Sequence, residues 1–236
     1  MSRAERLVVP PRPRLARVLR LAAIDLYDHG VRLVVANVVW GVTLLLSGFV
    51  LVRSPLGLVL VAFLIPASAG LMGMATRLVR QRTLVLSDFW DGISHRFAAH
   101  LGLSLAQLIL IVVAGFDLLL GLQTAGFPGV ILTVAAFYTF LAIWLIAWVA
   151  WPLLLDPLRS DEPIRSSLRL AVLLLVAQPA RIGGLGLLLA AFLVISTILV
   201  AAIVTVSGAY AFLVAAHYVL PAADRLEGRS TLEVRD

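Results

Sequence analysis

The sequence predicts an all-α fold, a polytopic transmembrane helical bundle of five to six spans with interfacial helices, on three observations. Of its 236 residues, 61% are hydrophobic and 14% charged, against about half and a quarter in soluble domains. Several stretches run for about 20 residues with no charge or one, enough to cross about 30 Å of hydrocarbon at about 1.5 Å per residue. The charges that remain gather at the ends of those stretches, and all 19 basic residues are arginine. A water-soluble core has no use for so much apolar surface, so the lipid bilayer is the first expected partner.

Cysteine is absent, which excludes disulfides, thiolate catalysis and cysteine-ligated metals. The net charge is +6, but the arginines flank apolar runs and form no separate basic module. Anionic headgroups are therefore the expected counter-charge, and nucleic acid is not an expected partner.

Residues 1–13 carry Arg3, Arg6, Arg12 and three prolines, as a disordered cytoplasmic tail does. A single transmembrane helical domain is expected over 14–223. It opens with a basic interfacial helix over 14–29, with Leu15, Val18, Leu19, Ala22 and Leu26 on one side. Asp28 and Arg32 stand four apart in the favourable order for a helix-surface pair.

Span one is expected over 31–52, too long for a signal-peptide core, and ends at Arg53-Ser54-Pro55. Span two, over 56–75, contains Pro66 and the small-residue run Ala67-Ser68-Ala69-Gly70, with Gly73 following. Proline frees a carbonyl and kinks the helix, and small residues admit a neighbouring backbone. Ser87-Asp88 starts a helix that carries Trp90, His95 and Arg96 before becoming span three at 101–122.

An uncharged turn with Pro128 leads to span four at 130–155. Between Pro163 and Pro179 fits a helix only about 20 Å long, with Arg165 and Arg169 on one side, suited to lie in the interface or re-enter. Span five is expected over 182–204, Ser207-Gly208 is the break, and the short stretch 207–221 is the sixth crossing. Residues 224–236 form a C-terminal tail.

With six crossings and the N-terminus inside, all arginines but Arg53 fall on the cytoplasmic side; with five, Arg225, Arg229 and Arg235 move out. The positive-inside rule thus puts the N-terminus in the cytoplasm of a bacterial cell, in its inner membrane.

Chemistry has few candidates. Asp117 is a carboxylate well inside a span, to be read as an ion or substrate group or as an outer-interface residue; His217 is its one possible partner at similar depth. Asp88, Asp91 and His95 fall at i, i+3 and i+7. They could hold a metal or a proton, or else cap a helix and pair Asp91 with His95.

Phe137, Phe140, Trp144, Trp148 and Trp151 recur every three or four residues. They could stack on sugars or lipids, or pack helices and end in an interfacial belt at Trp148 and Trp151. Asn37 in span one is an interhelical hydrogen-bonding candidate. Phosphate-cradling loops and hydrolase motifs are absent, so no enzyme activity and no cofactor is expected.

The order of these pieces resembles the YesL-like family of bacterial membrane proteins of uncharacterised function. It rests on Asn37-Val38-Val39-Trp40, Pro66-Ala67-Ser68-Ala69-Gly70-Leu71, Ser87-Asp88-Phe89-Trp90-Asp91-Gly92 with Arg96-Phe97, and Trp151-Pro152-Leu153-Leu154, over about residues 25–221. It departs at Ile65, where glycine is usual. The resemblance implies an accessory role beside carbohydrate ABC transporters and carries over no catalytic residue. The alternative is a transporter or channel subunit acting directly on a small solute, with the Pro66 kink and the span-four aromatics along its path.

Overall fold

The computed structural model describes residues 14–54 and 57–229, apart from the side chains of 57–62. The expected disordered tail 1–13, Pro55 of the first connection, the start of span two at 56 and the tail beyond 229 lie outside the described residues.

Helices α1 Leu15–Asp28, α2 Gly30–Arg53, α3 Gly57–Gln81, α4 Ser87–Ser94, α5 Phe97–Gln123 and α6 Phe127–Leu154 come first. After a 3₁₀ turn at Pro157–Arg159 follow α7 Ile164–Ala177, α8 Pro179–Ile198 and α9 Val200–Glu227. Among the described residues there is no strand. Helices α2, α5, α6, α8 and α9 are long and apolar enough to cross a membrane, so the protein is a multi-pass helical bundle. The 25-residue α3, Gly57–Gln81, covers the residues of the expected second span from 57 onward.

The buried axis of the bundle is α9, which contains the short stretch expected as the sixth crossing. Every residue from Ala211 to Leu220 on it is buried. Ala209, Ala211, Ala215, Ala216, Ala222 and Ala223 let its neighbours approach closely, as small residues do where packing, not water exclusion, holds helices together. α8 and α9 meet at Leu199 (φ −96°, ψ 77°). They fold back on each other, bringing Phe192 within 5.3 Å of Tyr210, ring centre to ring centre. The fifth span therefore ends at Ile198, not 204.

The break expected at Ser207-Gly208 does not occur, because the chain there is helical with a wide π turn, Ile203–Ser207. A π turn misaligns backbone partners, and Asn37 of α2 supplies replacements. Its Nδ2 donates to the carbonyls of Ile203 (3.0 Å) and Val204 (2.8 Å), and its Oδ1 accepts from the Ala209 N–H (2.6 Å). Gly41 makes room for this contact: a Cβ there would lie 2.6 Å from the Val204 Cα. Gly208, which sequence alone makes a helix breaker, is a close-approach glycine whose Cβ would strike Asn37 and Trp40.

Three more local expectations change. Asp28 and Arg32 form no ion pair among the described residues, because His29 (φ −113°, ψ 18°) interrupts the helix between them. The Ser87 helix does not run on into span three. It stops at Ser94, where His95 is extended and Arg96 left-handed (φ 53°), and His100 Nε2 bridges the gap, 2.9 Å from the Ile93 carbonyl oxygen. Finally, α9 continues to Glu227, so Asp224, the expected first residue of the tail, lies buried inside the bundle.

Asn37→Ala strips partners from three backbone groups at once, two of them buried. The cost should be about 1–3 kcal/mol, the penalty for stranding buried polar groups, above the roughly 0.6 kcal/mol usual for an interhelical bond in membranes. Thermal unfolding of the purified variant in mild detergent measures it.

Candidate functional site

Most of the described buried charge lies at one end of the bundle, where α3, α6 and α9 finish. Arg80 stands in the last turn of α3, Asp156 just after α6, Arg159 in the 3₁₀ turn and Asp224 near the end of α9. Arg80 Nε and Nη2 hold the two Asp156 oxygens at 3.0 and 2.5 Å, and its Nη1 and Nη2 reach the Asp224 carboxylate at 2.5 and 3.1 Å. Arg159, only 1% exposed, closes the ring from the other side, to Asp156 at 3.2 Å and Asp224 at 3.0 Å.

Asp156 also accepts from the Leu158 N–H at 3.1 Å, which caps the 3₁₀ turn that aims Arg159 inward. Two guanidiniums face two carboxylates, so the buried charge sums to zero. Planar forks that bond two acceptors each are the geometry in which arginine offsets its desolvation best.

A second layer of charge covers this ring. Glu227 lies 2.8 Å from Arg159 Nη1, off the N–H direction, so the attraction is of charge and not an aligned hydrogen bond. Arg229 bonds Glu162 and pairs with Glu227 at 2.8 Å. Burial pushes the Glu162 carboxyl up, but hydrogen bonds from Arg229 and Ser166 and the nearby Arg159 charge outweigh it and hold it below the ordinary carboxylate value.

A separate polar contact ties α1 to α9. His217 Nε2 and Asp25 Oδ2 stand 2.7 Å apart, buried, with Arg82 Nη1 3.2 Å from the same carboxylate. Arg82 reaches it by adopting a left-handed conformation (φ 57°) directly after α3, and Tyr210 donates to the Leu19 carbonyl (3.2 Å) on the same pair of helices. His217 is thus the partner of Asp25 and not of Asp117. Asp117 is half-buried and makes no hydrogen bond or ion pair among the described residues.

Asp88 and Asp91 share one cation, Arg77, at 2.6 and 2.8 Å. That guanidinium fills the place a metal would need, and the expected Asp91–His95 pair gives way to it. Asp88 also accepts from the Val85 N–H (2.8 Å). His95 has left the helix, so the three residues do not share a face. It lines a cavity of about 30 Å³ with Gly73, Arg77, Gly92, Leu155 and Pro157, room for a water. Burial, then the charges of Arg96 and Arg77, lower its pKa. Among the described residues no group of three acidic or histidine side chains could hold a metal.

The small-residue stretch after Pro66 is where α4 lies across α3. A Cβ on Gly70 would meet the Phe89 ring at 2.8 Å, and one on Gly73 the Gly92 Cα at 2.7 Å. The expected aromatic stripe divides. Trp144 meets Trp148 edge to face, Trp148 meets Phe212 at a tilt, and Phe212 meets Trp40 edge to face (centres 5.4, 5.5 and 5.8 Å apart). Trp144 Nε1 also donates to the Gly186 carbonyl at 3.0 Å. Trp148 is therefore core and not an interfacial belt, while Trp151 turns to His100 and Phe137 is exposed.

Asp25, Arg80, Arg82, Asp156, Arg159 and Asp224 are absent from the candidates that the sequence suggests, and His217 is among them only as a partner for Asp117. The signal was available: the acids cluster at the same helix ends as the arginines, so the two can neutralise each other. Comparison with protein-family models, with curated proteins and with solved structures finds no match.

Arg159→Met leaves two buried carboxylates with one guanidinium between them. Removing one partner of a buried pair costs about 3–5 kcal/mol, so the variant should unfold at markedly lower temperature, or fail to accumulate folded. Glu162 has its pKa depressed in the folded state, so the stability it lends is complete above the ordinary carboxylate value and is lost as pH falls through the lowered one. Melting curves of wild type and Glu162→Gln should converge below that value.

Proposed function

We propose that this chain is a non-enzymatic component of the bacterial cytoplasmic membrane that works by holding other membrane proteins, as an accessory or assembly subunit beside a carbohydrate transport system. Its N-terminus and arginine-rich helix ends face the cytosol. The observation that carries this reading is the contrast between the closed polar end and the bare α5–α6 hairpin. Of the 27 residues in α5 only His100, Ser104, Ala114 and Gly121 are buried.

Outward from the pair stand Ile109, Val112, Phe116, Val130, Val134 and Phe137, a surface that needs lipid or protein against it. The described buried charges are engaged with one another, and Trp144 and Trp148 are filled by neighbours. These features favour binding over chemistry. The resemblance to YesL-like proteins supplies the transport context.

Mild crosslinking in native membranes followed by co-purification tests this. A second membrane protein should be recovered, and replacing Phe116 and Phe137 together by alanine should reduce it. These are surface positions, so melting should shift by no more than about 0.5 kcal/mol each. Recovery as a lone monomer, or solute flux into liposomes that Asp117→Asn and Trp144→Ala abolish, would overturn the proposal.

A further inference from the structure

The helix α7 divides its circumference sharply. Ser167, Leu170, Ala171 and Leu174 are buried against the bundle. At about 100° per residue, Arg165, Arg169, Val172, Leu173 and Val176 fall together on an arc of about 100° facing away from them. All five are exposed, Val176 at 73%.

Along that face the chemistry is ordered. The two arginines come first, three residues after Glu162, which is itself engaged by Arg159 and Arg229 at the polar end of the bundle. The valines and leucine follow, ending about 16 Å from Arg165 at 1.5 Å per residue, close to half the roughly 30 Å of a bilayer's hydrocarbon. Neither arginine has an ion pair or hydrogen bond among the described residues. Asp161, the other nearby acid, accepts from Ser160.

We propose that this face binds an anionic phospholipid, with Arg165 and Arg169 on the headgroup phosphate and one acyl chain along Val172, Leu173 and Val176. Two arginines one helical turn apart match a phosphate with several acceptor oxygens. A zwitterionic headgroup carries its own cation and gains less from them. The apolar strip beyond distinguishes a lipid from a free phosphate, which would have no use for it. The inference rests on the multi-pass fold and not on the accessory role, so either can fail without the other.

The test is native mass spectrometry of the full chain in neutral detergent, titrated with phosphatidylglycerol, phosphatidylcholine of the same chains, or glycerol 3-phosphate. Phosphatidylglycerol should bind at lower concentration than the other two. Arg165→Gln with Arg169→Gln should weaken it roughly 30-fold, about fivefold for each arginine near an anionic surface. Arg165→Lys with Arg169→Lys should keep most of the binding, and Val172→Ser with Val176→Ser should weaken both lipids. Equal binding of the two lipids by the wild type overturns the proposal even if a variant fails to fold. So does glycerol phosphate binding as tightly as the lipid, or a folded glutamine variant that still prefers phosphatidylglycerol.

Discussion

Arg80 and Arg159 can be buried only where Asp156 and Asp224 meet them, and that requirement dictates how the helices are threaded. Each ion taken out of water costs several kcal/mol, recovered only when forks and carboxylates close on one another. The four groups come from the ends of α3, α6 and α9 and from the 3₁₀ turn, so these three helices must finish at one end of the bundle. α2 packs antiparallel on α3 through Trp40 and Ser68, and α8 folds back on α9 through Phe192 and Tyr210. The last helix therefore returns to the end where α3 and α6 finish, and only that arrangement brings Asp224 to Arg80.

Inside an apolar solvent, oily side chains gain little by leaving lipid for protein, so association must come from close packing and from polar links. The bundle uses both at the same places. Gly41 and Gly208 let α2 and α9 approach until Asn37 can repair the π turn, and Gly73 and Gly92 bring α4 onto α3 where Arg77 takes both aspartates. A wider crossing would put Asn37 out of reach of its three backbone partners. The glycines and the polar bonds are therefore one device, and neither explains the packing without the other.

Hydropathy made most of the helices legible, since each long apolar run is a helix, although the last two are bounded at Ile198 and Val200 and not at 204 and 207. Pro163 and Pro179 likewise marked α7 as too short to cross. Two boundaries escaped for a physical reason. A glycine that ends a helix and a glycine that admits a neighbour look identical in sequence, which hid the continuity of α9 through Gly208. No proline or glycine stands at the break at His95 and Arg96, where Arg96 donates to the carbonyls of Ser160 and Glu162 and His100 meets the Ile93 carbonyl.

The charged site was hidden by distance along the chain. Arg80 lies 76 residues from Asp156 and 144 from Asp224, so each charge, read locally, looked like a headgroup contact. Asn37 was visible as a polar residue in a span, but what it bonds was not, because the π turn it serves has no composition of its own.

The two ends of this molecule follow opposite rules. At the polar end each described buried carboxylate has a guanidinium or imidazole, which leaves little freedom to the helices that carry them. Away from it, α5 and α6 hold one another by Gly121 and Thr133 and by apolar contact, with few polar bonds to the rest. Local stability follows the density of such bonds and contacts, so α5, with only His100, Ser104, Ala114 and Gly121 buried, is held less firmly than the inner end of α6, where Trp148 to Ala150 and Pro152 to Leu154 are buried. α5 supplies no group to the described buried ion pairs, whereas α6 leads directly into Asp156, and a displacement of α9 would separate Asp224 from both arginines.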